Sequence, residues 1–87
     1  MEITGVKIYP VRDQKVKAYV SIVLDECFIV RDLKVIDGEH KLFVAMPSKR
    51  MKDGSYRDTV HPLDPETRTR IESSVLEAYE REIATVA

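Results

Sequence analysis

The sequence predicts an α+β fold: a small antiparallel sheet of about five strands with one C-terminal helix packed on it. Three observations carry that prediction. Residues 16–24 alternate without a break, Val16, Ala18, Val20, Ile22 and Leu24 against Lys17, Tyr19, Ser21 and Val23, which is the period of a half-buried strand. Turn words, Asp25-Glu26 and Asp37-Gly38, divide the apolar runs that follow. Beyond Asp64-Pro65 the period becomes helical, with Ile71, Val75, Ala78, Tyr79 and Ile83 on one stripe.

In chain order, residues 3–9 form the first strand, Val6 and Ile8 alternating with Lys7 and Tyr9 up to Pro10, and Gly5 marks a bulge. Residues 11–14 turn into the second strand, 16–24, whose even positions face the core. The third strand, 27–36, is apolar on both parities, with Phe28, Val30 and Ile36 against Cys27, Ile29, Leu33 and Val35. Cys27 reads as a small buried apolar residue in that strand. A hairpin connection through Asp37-Gly38 leads to residues 41–46, apolar on both faces. One helix covers one face of a sheet, so apolar surface on the third and fourth strands is left over; a self-complementary dimer is the economical way to bury it, the alternative being that sheet twist and the loop 47–57 cover it within one chain. Pro47 opens a cationic loop, and extended chain returns at 58–61. The helix spans 65–84: Asp64 is its N-cap, Pro65 its first residue, and Glu66 sits at the positive end of the dipole. Glu82 interrupts the apolar stripe, so the last turn loosens there.

The 87 residues amount to one domain, 1–87, with 44% hydrophobic and 33% charged residues, an ordered composition. A chain this short buries roughly 60–65% of its unfolded surface, which leaves a thin margin that a second subunit would widen. No run of about 18 apolar residues marks a membrane span, and the N-terminus has no secretory pattern. With one cysteine there is no internal disulfide to form. The expectation is a cytoplasmic protein without membrane contact.

Net charge is −1, but it is unevenly distributed. Residues 41–57 hold Lys41, Lys49, Arg50, Lys52 and Arg57 against Asp53, whereas residues 72–87 hold Glu72, Glu77, Glu80 and Glu82 against Arg81. Enzymatic function is not expected. His61 near Asp58 can be drawn as a base with an orienting carboxylate, but its simpler reading is an extended pre-proline residue, and His40 belongs to a hairpin loop. Candidate metal ligands are scattered, and no cofactor or small-molecule substrate is implied. The cationic loop is the candidate site. Lys49, Arg50, Lys52 and Arg57 place mobile charge where a phosphate backbone is recognised without sequence information. Tyr56 is placed to stack on a base, and Arg68 and Arg70 add charge near the helix start. Against this stands the plainer reading of a solvated loop carrying lysines for solubility.

The words FVAMPSKR and RDTVHP, within residues 35–63, resemble the stage V sporulation protein G family, SpoVG. The likeness extends outward to SIVLDECFIVRDL and to Thr67-Arg68, Ile71, Val75-Leu76 and Tyr79. It implies a homodimeric SpoVG-like domain and a cytoplasmic bacterial regulator of cell-division septation and, in spore-formers, of sporulation. It also implies DNA or RNA binding, reaching Lys49, Arg50, Arg57, Thr67-Arg68 and the basic position of Arg70. Two functional readings stay open: a nucleic-acid-binding dimer, and a protein-interaction module of the septation machinery that uses the same loop without touching nucleic acid.

Overall fold

The computed structural model describes residues 1–86. Four strands, β1 (Ile3–Pro10), β2 (Val16–Leu24), β3 (Phe28–Asp37) and β4 (Leu42–Ala45), form an antiparallel meander in the order β1-β2-β3-β4. Two short strands, β5 (Ser48–Arg50) and β6 (Tyr56–Asp58), make a separate ribbon, and helix α1 (Pro65–Val86) closes the chain. No helix among the described residues is long and apolar enough to cross a membrane.

Register explains which side chains are buried. Ile8, Val20 and Leu33 lie in one row across the sheet, and Val6, Ile22 and Val30 in the next. Ala18, Val35 and Val44 make a third. These rows form the covered face, against which Ile71, Val75 and Tyr79 of α1 pack at helical spacing. Ile83, the last apolar residue expected on that stripe, is exposed, so the seal stops before the helix does, while the helix itself continues past Glu82 to Val86.

β3 owes its double apolar parity to a change of phase. Its pairing with β2 shifts between Val20 and Ile22, so Arg31 and Asp32 together oppose Ser21, and Asp32 takes a φ of 69°. Such a bulge turns the strand. Before it, even-numbered Val30 is buried; after it, odd-numbered Leu33 and Val35 are. The surplus apolar surface on the open face is therefore smaller than the sequence pattern suggests: chiefly Ile29 and Ile36 of β3 with Phe43 and Ala45 of β4.

Two further expectations are corrected. Cys27 is exposed rather than buried, because the turn takes in residues 25–27. Asp25 and Glu26 both have positive φ, and the Cys27 amide donates to the Leu24 carbonyl at 3.1 Å, the primed geometry that suits strand twist. The start of the chain holds that turn: the Glu2 amide donates to Asp25 Oδ1 at 2.9 Å and the Glu26 amide to Thr4 Oγ1 at 2.8 Å. In addition, no strand spans residues 58–61; the returning strand is β6, which ends at Asp58, and its partner is β5 rather than the main sheet.

Candidate nucleic-acid interface

The cationic segment is a β-hairpin. Ser48 pairs with Asp58, Lys49 with Arg57 and Arg50 with Tyr56. At the open end, the Thr59 amide donates to the Pro47 carbonyl at 2.8 Å; at the tip, the Met51 amide donates to the Ser55 carbonyl at 2.7 Å. The loop of Lys52, Asp53 and Gly54 is a turn closed by the Gly54 amide on the Met51 carbonyl at 3.0 Å, with Gly54 at a φ of 90°. A three-residue loop with a left-handed last residue is a favoured hairpin connection. Asp53 Oδ1 accepts from the Ser55 hydroxyl at 2.6 Å and from its amide at 2.9 Å. These bonds, the hydroxyl's foremost, hold the Asp53 carboxyl below its ordinary pKa. The carboxylate therefore stays ionised within the turn, beside Lys49, Arg50 and Lys52 but in no ion pair with them.

Strand alternation sorts the hairpin's charges. Lys49 and Arg57 share one face, while Arg50 and Tyr56 share the other with Ser48 and Asp58. All are exposed, and Tyr56 is 67% accessible. Among the described residues the one ion pair is Lys17 with Asp37, at 3.9 Å. The hairpin's cations are thus unpaired and open to a ligand.

Helix capping proceeds as expected. The Thr67 amide donates to Asp64 Oδ1 at 2.7 Å, which makes Asp64 the N-cap and Pro65 the first helical residue. Arg68 is half-buried, and exposed Arg70 donates from Nη2 to the Met1 carbonyl at 3.1 Å. Arg70 also helps to lower the Asp64 pKa, behind the two Thr67 hydrogen bonds. The six candidate residues therefore divide. Lys49, Arg50, Lys52 and Arg57 are brought together on one hairpin, whereas Arg68 and Arg70 belong to the helix start, where Arg70 has partners already. His61 Nδ1 donates to the Pro62 carbonyl at 3.0 Å rather than facing Asp58. No three metal-ligating side chains converge among the described residues.

Sequence reasoning saw the apolar part of the open face but passed over its aromatic and cationic part. Tyr9, Tyr19, Lys34 and Ala45 form one row there, and Lys7 and Ser21 with the Arg31–Asp32 bulge form the next. Lys34 Nζ lies 6.0 Å from the Tyr19 ring centroid. The outward positions of the alternating second strand were the available signal, but the register that joins them to Tyr9 and Lys34 was not in the sequence pattern.

The SpoVG family model matches residues 1–81. Over 86 residues the chain is 58% identical to "Putative septation protein SpoVG" of Bdellovibrio bacteriovorus, covering 99% of this chain and 80% of that protein. A protein of the same name from Anaeromyxobacter sp. strain Fw109-5 is 58% identical over 83 residues, 95% of this chain and 86% of its own length. One from Agathobacter rectalis is 48% identical over 87 residues, covering 99% of this chain and 100% of that protein. With the family model spanning nearly the whole chain and relatives this similar along its length, the chain belongs to the SpoVG family.

Proposed function

We propose that the protein is a non-catalytic, cytoplasmic regulator that binds DNA or RNA as a homodimer. It acts in cell-division septation and, where the host forms spores, in sporulation. The septation role rests on the names its relatives bear. Nucleic-acid binding rests on one observation above all: Lys49 and Arg57 are exposed, opposite one another and without a carboxylate partner. Like charges held side by side disfavour a ribbon unless an anion lies between them. A phosphate is such an anion. Arg50 and Lys52 extend the charge along the hairpin, and Tyr56 offers a ring beside Arg50. Dimerisation through Ile36, Phe43 and the edge of β4 covers the apolar part of the open face and doubles the hairpins on one particle.

A second reading has an observation of its own. Leu63 is 92% exposed beside an apolar cavity of about 290 Å³ that also meets Met1, Met46 and Ile71. A protein of the division machinery could seat an apolar side chain there and use the hairpin for its acidic residues. Fluorescence anisotropy of a labelled duplex and a labelled single strand decides between them, with Lys49→Glu plus Arg50→Glu as the control. Binding that the two reversals abolish supports the nucleic-acid reading. Its absence at low salt moves the function to a protein partner.

A further inference from the structure

The β3 bulge leaves a hollow of about 250 Å³ on the open face of the sheet, bordered by Lys7, Tyr9, Tyr19, Ser21, Arg31 and Asp32. We infer that this hollow is a subsite for an unpaired nucleotide, whose base stacks on the Tyr19 ring while its flanking phosphates meet Lys7, Arg31 and Lys34. The inference rests on the nucleic-acid reading and adds a second contact surface and a ligand class, single-stranded RNA or DNA.

Four features converge on it. Tyr9 and Tyr19 are cross-strand partners, yet they remain 53% and 43% exposed. Two neighbouring rings on an antiparallel sheet offer flat apolar surface to bases that a duplex keeps stacked inside. Three cations, Lys7, Arg31 and Lys34, surround the rings, and none has a carboxylate partner. Ser21, largely buried at the floor, and Asp32 supply oxygen acceptors that suit the amino edge of a base. The bulge supplies the depth: two residues oppose one at Ser21, and Asp32 adopts its positive φ there.

A second copy of the chain is the competing occupant of a sheet face. Charge argues against it at this end. An isologous contact centred on the hollow would gather Lys7, Arg31 and Lys34 of both copies, with Asp32 as the carboxylate of the hollow to offset them. Of the apolar residues that favour self-association, Ile36 and Phe43 pair with one another on the β4 side, and Ile29 is the one that borders the hollow.

The test uses a labelled 12-nucleotide RNA, the DNA of the same sequence, and its duplex, titrated by anisotropy into the full chain. Tyr19→Ala is expected to weaken both single strands by about 5- to 100-fold and the duplex little. Tyr19→Phe, which keeps the ring, is expected to stay near wild type, with folding of each variant checked by circular dichroism. The chain has no tryptophan, so Tyr19→Trp gives a lone reporter whose emission a stacked base quenches; quenching by the single strands and not the duplex is the direct signature. A loss confined to RNA or to DNA would support the site and identify its source. Unchanged single-strand affinity in Tyr19→Ala, together with an unquenched Tyr19→Trp, would overturn the subsite. The nucleic-acid reading would survive that result if Lys49→Glu plus Arg50→Glu still abolished binding. Failure of every probe to bind wild type would overturn both.

Discussion

Lys49 and Arg57 face each other across the β5–β6 ribbon, with side chains on the same face. The hydrogen bonds on either side, at Met51–Ser55 and at Thr59–Pro47, put this couple at a hydrogen-bonded position by alternation, where Cα atoms are about 5.5 Å apart. Two cations so placed destabilise the ribbon relative to neutral residues.

Stability and binding should therefore part company at this pair. Arg57→Glu converts repulsion to attraction, so amide exchange at Met51 and Thr59, the flanking donors, is expected to slow by a few-fold. The same change should weaken nucleic-acid binding. Faster exchange would show that the pair is not strained.

Gly54 tests whether hairpin shape matters as well as charge. A Cβ there meets no atom within 4 Å, so its φ of 90° is the sole objection to a side chain. Gly54→Ala is expected to cost the turn about 1–2 kcal/mol, with Gly54→Asn milder. The buried core contains no residue from 48–58, so the thermal midpoint should barely move while hairpin amides exchange faster and affinity falls.

The helix cap gives a pH dependence of known sign. Hydrogen bonds from Thr67, then the charge of Arg70, hold Asp64 below its ordinary pKa. A depressed carboxylate pKa stabilises the fold fully above the unfolded value, roughly pH 4, and that contribution is lost as pH falls through the folded value. Asp53 acts in the same direction within the hairpin. Asp64→Asn keeps an acceptor without titrating, so its melting temperature should fall less than wild type on acidification below about pH 4.

Leu33 follows the bulge and is 1% exposed. Leu33→Ala is expected to cost about 2–5 kcal/mol, a large share of the roughly 5–15 kcal/mol that holds a domain folded. Urea denaturation should show a greatly lowered midpoint or an unfolded chain. A loss under about 1 kcal/mol would mean that the core collapses around the gap.

Much of this fold was written in local patterns. β2 declared itself through unbroken alternation, and the helix through Asp64-Pro65 and its stripe, because each signal is complete within a few residues. β3 was ambiguous because the bulge at Arg31–Asp32 reverses its phase, which makes a half-exposed strand look apolar on both sides. The hairpin was legible as charge but not as shape. Its strands bury no stripe to betray a period, and its order comes from Pro47–Thr59, Asp53–Ser55 and Gly54. The open-face cluster of Tyr9, Tyr19, Lys7 and Lys34 draws on three strands, so only register brings it together.

The most direct test of phosphate binding by the hairpin is the salt dependence of duplex affinity for wild type and for Lys49→Ala plus Arg57→Ala. With four to six phosphates neutralised by the proposed dimer, log affinity should fall against log salt with a slope of roughly −4 to −5. The double variant should flatten that slope by about 0.9 for each phosphate it no longer neutralises. A shallow wild-type slope, or one the variant leaves unchanged, would contradict the assignment of phosphate binding to this hairpin.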